Sequence, residues 1–258
     1  MVTVALVGAP NSGKSTLFSA LTGVPGGDSH VPFSTDRVVP GLLADGESYE
    51  FGVLDLPSVA RNSHRGEWLG LEGLCAARAA HALIHVVRCF EGPGVLEQPG
   101  CTGDPLPDME LVEREVLIAD VSAADDALRR MDPDDPRGGA LLAVRDALAG
   151  GQAAREMGLR QDELQELTGI AFLSAKPVLV VLNTDEDAEY DPGALRADEL
   201  LRERLEFRGA ETLALCAKLH ADAAVLGAVE GREFLAELGV DRNIAREVAY
   251  AVLRVLAG

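Results

Sequence analysis

A doubly wound α/β domain, with a mostly parallel sheet and helices on both faces, is the fold class that this sequence predicts. Three observations predict it. Short apolar runs recur at Thr3 to Val7, Phe51 to Leu54, Leu83 to Val87, Val178 to Leu182 and Thr212 to Cys216. Helical patterns separate most of them. The runs are continuously apolar instead of alternating, as strands of a parallel sheet buried on both faces should be.

Size and composition agree with this class. The chain has 258 residues, 47% of them hydrophobic, with 27 Gly and 13 Pro, which suits one large domain carrying an insertion and excludes a mostly disordered polymer. No apolar run approaches the roughly 20 residues that span a bilayer. The opening residues MVTVALVG pass straight into a strand pattern without a basic leader, so a cytoplasmic location is expected. Four scattered cysteines, Cys75, Cys89, Cys101 and Cys216, form no CxxC pair and read as structural thiols. A net charge of −19 argues against a broad nucleic-acid surface, leaving only a local basic patch open.

The first strand runs into Gly8 to Ser15, GAPNSGKS, a full GxxxxGK[ST] match followed by the helical stretch STLFSALTG. Glycines there let the backbone fold around a phosphate, so that amides from Ala9, Pro10, Asn11, Ser12, Gly13, Ser15 and Thr16 surround it, apart from the N–H that proline lacks. In such a loop Lys14 reaches the β- and γ-phosphates and the Ser15 hydroxyl ligates Mg²⁺. The expected class is therefore a Ras-like P-loop NTPase. The second run, FGVLD, ends in Asp55, placed to hold the metal through water. Between them PFST offers Thr35, whose hydroxyl is expected to close on Mg²⁺ as a switch segment does.

Ninety residues separate the third run from the fourth, too many for a single crossover. A Gly/Pro-rich loop spans Gly92 to Pro107. A helical pattern then runs from Met109 to Met131, with Leu111, Val112, Val116, Val121 and Leu128 apolar. DPDDPRGG breaks it, and further helical stretches follow at Ala140 to Leu148 and Gln161 to Leu173. The organisation expected is a nucleotide-binding domain in two parts, 1–103 and 171–258, with a helical hairpin-like insertion at 104–170. Asp104 to Ile170 holds 16 acidic and 7 basic residues. That charge fits a partner-binding arm whose partner is not RNA, and equally a solvated helical surface.

These residues carry a family resemblance. GAPNSGKSTLFSALTG, PFST, HRGEWLGLEGL, HVVRCFEG, KPVLVVLNTDED and EFLAELGV together resemble the Obg-like ATPase family, the YchF branch of the translation-factor-related P-loop proteins. The resemblance implies an ATP-preferring hydrolase with a helical insertion and a ribosome-linked role, so that a protein or ribosome partner is expected through the insertion. It also implies a C-terminal TGS domain, which the sequence ending at Gly258 is read to lack, and a longer segment between PFST and VLD than this chain has.

The base-reading motif has its own chemistry. GTPases read guanine with Asn-Lys-x-Asp, whose carboxylate accepts two hydrogen bonds from the base; a site so built rejects adenine because its polar groups would go unpaired. Here Asn183, Thr184, Asp185 and Glu186 place Thr for the Lys and Glu for the Asp. The added methylene displaces the carboxylate, which favours ATP over GTP, with Asn183 on the purine edge and Cys216, Ala217 and Lys218 supplying contacts. For catalysis the chain reads DLPSV, with Ser58 where a glycine of the DxxG motif is expected and Val59 where Ras-like enzymes carry the water-orienting Gln. Glu97 stands in the loop where relatives tend to carry a His. Arg61, His64 and Arg65 are the nearest positive groups for charge developing on the phosphoryl group. His81 and His85, four apart, read as structural. The expected activity is slow, Mg²⁺-dependent hydrolysis by a switch protein. Two alternatives stay open: a nucleotide-binding sensor or scaffold with little hydrolysis, and a GTPase.

Overall fold

The five apolar runs, and one strand beyond them, form a single six-stranded sheet in the order β2-β3-β1-β4-β5-β6. The strands are β1 (Val2–Val7), β2 (Val39–Ala44), β3 (Glu50–Asp55), β4 (Ala82–Cys89), β5 (Val178–Thr184) and β6 (Glu211–Leu215). The computed structural model describes residues 1–24, 37–44, 50–59, 70–91, 104–158, 160–187, 199–207 and 210–257. All neighbours run parallel except β2, which pairs antiparallel with β3 at the edge, from Val39 opposite Asp55 to Ala44 opposite Glu50. The strand β2 is absent from the sequence reading because Pro40 and Gly41 interrupt its pattern. An edge strand tolerates the proline, and Gly41 is required by contact: a β-carbon there would fall 2.6 Å from the Phe18 ring.

Among the described residues the helices are α1 (Lys14–Thr22), α2 (Gly70–Ala79), α3 (Pro105–Arg130), α4 (Gly138–Ala149), α5 (Gln161–Thr168), α6 (Glu199–Phe207), α7 (Ala217–Leu226), α8 (Glu230–Glu237) and α9 (Ile244–Ala257). One face of the sheet packs Val4, Leu6, Val53, Ile84, Val86 and Val181 against Leu17, Phe18 and Leu21 of α1 and Val248 and Val252 of α9. The other packs Ala5, Val7 and Leu83 against Ala77 of α2 and Val112 and Ala119 of α3. Successive strand residues thus enter opposite cores, which is why the runs carry no polar alternation. Each fully buried Leu, Val or Phe contributes about 1.5–3 kcal/mol.

Between β4 and β5, α3 and α4 pack around a separate core of Ala124, Leu141, Val144, Leu148, Leu164 and Phe172. Helix α3 begins at Pro105, earlier than expected, because a proline suits a first turn whose N–H groups have no intrahelical partner. The third helical stretch is shorter than the expected Gln161 to Leu173. It ends at Thr168, where Gly169 turns left-handed at φ +75°, and a 3₁₀ turn at Leu173–Ala175 follows.

A buried polar cluster ties α3 to the sheet domain. Asp120 accepts hydrogen bonds from the Leu173 and Ser174 amides at 2.9 and 2.7 Å and from the Ser174 hydroxyl at 2.8 Å. Arg78 of α2 pairs with Asp120 at 3.3 Å and donates to the Ala171 and Ala119 carbonyls. Lys176 donates to the Ala80 carbonyl. Burial raises the Asp120 carboxyl above its ordinary range despite these donors. It lowers Lys176 to about 8, with the Arg78 charge adding to the effect.

Candidate functional site

The phosphate-loop motif lies at the carboxyl end of β1, where the chain order reverses between β3 on one side and β4 on the other. Open α/β sheets bind ligands at this switch point. The turn is built by two left-handed residues, Asn11 at φ +58° and Gly13 at φ +89°. Glycine is needed at 13 for a second reason: a β-carbon would stand 2.1 Å from Asn183 Nδ2. Helix α1 then begins at Lys14 with no side-chain cap and no acid in its first turn, so its positive end faces the loop uncompensated.

Lys14 is 5% exposed. Its ammonium donates to the Gly8 and Ala9 carbonyls, both at 3.3 Å, and to the Ser58 hydroxyl at 2.9 Å. Beside it the Ser15 hydroxyl donates to Asp55 Oδ2 at 2.7 Å, and Asp55 is fully buried at the end of β3. The parallel register that puts Leu6 beside Asp55 brings the acid to the loop. A hydroxyl that donates to a carboxylate keeps its lone pairs for a hard cation, so this oxygen pair fits Mg²⁺ together with phosphate oxygens. Among the described residues no group of three His, Cys, Asp or Glu side chains could hold a metal by itself.

After β3 the chain stays pinned to the loop. Leu56 is fully buried and Val59 is 2% exposed, both packed with Ala5, Val7 and Ala9, and the Val59 amide donates to the Gly8 carbonyl at 2.9 Å. The residue in the place of the water-orienting Gln therefore faces the core.

At the base end, Asn183 is buried and bridges three segments. Its Nδ2 donates to the Ser12 carbonyl and its Oδ1 accepts from the Ala217 amide, both at 3.0 Å. The amide thereby holds the phosphate loop, β5 and the start of α7 together, with one Nδ2 proton beyond the bond to Ser12. Glu186 receives a hydrogen bond from Lys218 at 2.8 Å, which raises the Lys218 pKa. Cys216 is buried at the N-cap of α7.

The structure thus brings Ala9 to Thr16, Asp55, Ser58 and Asn183 to one end of the sheet, with Glu186, Ala217 and Lys218 adjoining. Thr35, Arg61, His64, Arg65 and Glu97 lie outside the described residues. Of the two histidines, His81 accepts the Thr3 amide at 3.1 Å just before β4, and His85 is buried within that strand. Sequence reasoning missed Arg88. It is 3% exposed, sits beside Asn183 in the strand register, pairs with Asp108 at 3.4 Å and lines a small cleft with Ala9, Pro10 and Ser12. A lone guanidinium inside the apolar run HVVRCF was the available signal.

A six-stranded sheet with a glycine-containing turn, a buried lysine and a serine–aspartate pair at its switch point defines the class of P-loop nucleoside triphosphatases. Residues 3–117 match the family described as 50S ribosome-binding GTPase. Ribosome-binding ATPase YchF of Haemophilus ducreyi is 30% identical over 284 residues, covering 97% of this chain and 75% of that protein. The Bacillus subtilis protein of the same name is 27% identical, covering 94% and 72%. The YchF GTPase structure from Schizosaccharomyces pombe shares the fold, with a TM-score of 0.66 and 19% identity over 99% of this chain and 75% of that one. The chain belongs to the YchF family.

Proposed function

We propose that this protein binds Mg·ATP and hydrolyses it slowly, changing conformation with the state of the nucleotide. The observation that carries the reading is the set of contacts around Lys14, Ser15 and Asp55, an ammonium and an oxygen pair beside an uncapped helix start. Amides of residue 9 and residues 11–16 surround the phosphates, Lys14 binds the β/γ end, and Ser15, Asp55 and Thr35 hold the cation. Magnesium, when bound, supplies positive charge to the phosphate oxygens. His64 and Arg65 neutralise charge in the transition state.

ATP is preferred to GTP. The support is the Glu186 carboxylate, displaced by its extra methylene and already paired with Lys218, so that a guanine clamp would have to break an ion pair. The residues 1–103 and 171–258 act as one nucleotide domain and 104–170 as its insertion, seated on the sheet through Val112 and Ala119 of α3. The relatives are named ribosome-binding, and we extend that partner to this chain, with the acidic arm facing protein, in the cytoplasm.

One observation favours a second reading, a nucleotide sensor that hardly hydrolyses: Val59 is packed in the core where a water-orienting side chain would stand. Phosphate release from Mg·ATP and Mg·GTP, with titration of both, tests the proposal. ATP should bind at least about tenfold tighter than GTP, a gap of about 1.4 kcal/mol, and Lys14→Ala should abolish turnover. Release no faster than Lys14→Ala, with tight ATP binding retained, would select the sensor; absence of binding would refute both.

A further inference from the structure

We propose that Ser58 sets the balance between nucleoside triphosphate and diphosphate by competing, as an internal ligand, for the ammonium of Lys14; this rests on the nucleotide reading above. An ammonium has only three protons to share, and among the acceptors of Lys14 are the Gly8 carbonyl, the Ala9 carbonyl and Ser58 Oγ. The two carbonyls belong to the phosphate loop itself. The third acceptor comes from 44 residues away, after β3, and at 2.9 Å it makes the shortest of these contacts.

Ser58 is held there from both sides. Leu56 and Val59 are anchored in the core, and the Val59 amide is bonded to the same Gly8 carbonyl that Lys14 uses. A glycine at 58, as the DxxG pattern expects, would offer the lysine no side-chain oxygen. With serine, the buried cation holds one more acceptor before any phosphate arrives, and exchanging that acceptor for a phosphate oxygen brings less net gain.

The competition is unequal between ligands. A diphosphate ends at the β-position, so a loop carbonyl can yield its proton to the β-oxygen while Lys14 keeps the hydroxyl. A triphosphate brings γ-oxygens to the ammonium, and the hydroxyl must give way. The cost falls on the triphosphate complex, and on loss of the γ-phosphate the hydroxyl returns to the lysine. Ser58 therefore shifts the resting population toward the diphosphate form, acting on specificity and not on the reacting atoms.

Calorimetric titration of the full chain with Mg·ADP and with Mg-bound, non-hydrolysable ATP analogue tests this in wild type, Ser58→Ala and Ser58→Gly. Both variants lose the hydroxyl but differ in backbone freedom, so a shared change reports the hydroxyl. The ratio of diphosphate to triphosphate Kd should rise about tenfold in both, equivalent to about 1.4 kcal/mol, through tighter analogue binding, with ADP affinity nearly constant. An unchanged ratio with intact nucleotide binding would overturn the role of Ser58 alone. A falling ratio would do the same, since the hydroxyl would then be bonding the γ-phosphate. Failure of the wild-type chain to bind either nucleotide would instead refute the nucleotide reading on which the role rests.

Discussion

Gly13 and Asn183 should be energetically coupled, so that substituting both costs less than the sum of the single changes. Asn183→Ala removes two bonds of 3.0 Å and leaves the Ser12 carbonyl and Ala217 amide buried without them. At about 1 kcal/mol net per bond, and up to about 3 for each orphaned group, the loss is roughly 2–6 kcal/mol. Gly13→Ala meets two obstacles. An L residue at φ +89° is strained by about 1–2 kcal/mol. Its β-carbon would also lie 2.1 Å from Asn183 Nδ2, where non-bonded contacts settle near ~3.5 Å, so the amide must move and the same two bonds are lost. In the Asn183→Ala background that second obstacle is absent. The double variant should therefore be about 2 kcal/mol or more stable than additivity predicts. Urea unfolding of the four proteins measures the cycle. Additivity within about 0.5 kcal/mol would show that the two residues do not share the contact, and the account of this corner of the site would be wrong.

Stability should depend on Lys176 in alkaline solution. Its pKa is lowered by burial to about 8 from 10.5, so between these values the unfolded chain holds a proton that the folded chain has released, and stability rises with pH through that window. The full rise is roughly 3 kcal/mol. Urea midpoints at several pH values should show this slope in wild type and its loss in Lys176→Met; equal slopes would remove Lys176 as the cause. The thiols should also divide by environment. Burial pushes Cys89 up to about 12, outweighing the nearby Arg88 charge, whereas Cys75 is exposed. Alkylation near neutral pH followed by mass analysis should therefore label Cys75 and leave Cys89 unmodified until denaturant is added, and rapid native labelling of Cys89 would contradict its placement.

Much of the fold was readable because parallel strands leave a strong local signature. The run VLVVL needs no partner to declare itself, since both faces of β5 are buried and Val178 to Leu182 are all apolar. The phosphate loop was equally legible, because a turn that must approach a ligand closely and open a helix restricts residue types within eight positions. Edge strand β2 was not, since Pro40 and Gly41 are tolerated only through the open edge and the Phe18 ring packed above. The early end of α5 was missed for a similar reason: apolar residues beyond Thr168 continue the pattern, yet Phe172 and Leu173 reach their cores through a turn that Asp120 holds from α3.

By itself the sequence determined the elements whose cause is local: apolar strands, the tight turn with its lysine and the helix it opens, and the departure at the base motif. Only the tertiary structure decided which side chains answer one another across the chain. Asn183 bonds to Ser12, Lys14 to Ser58 and Arg78 to Asp120 over separations that no periodicity records. The physical reason is that a buried polar group must find a partner wherever the fold supplies one, and that choice is made by packing and strand register, not by neighbours in sequence.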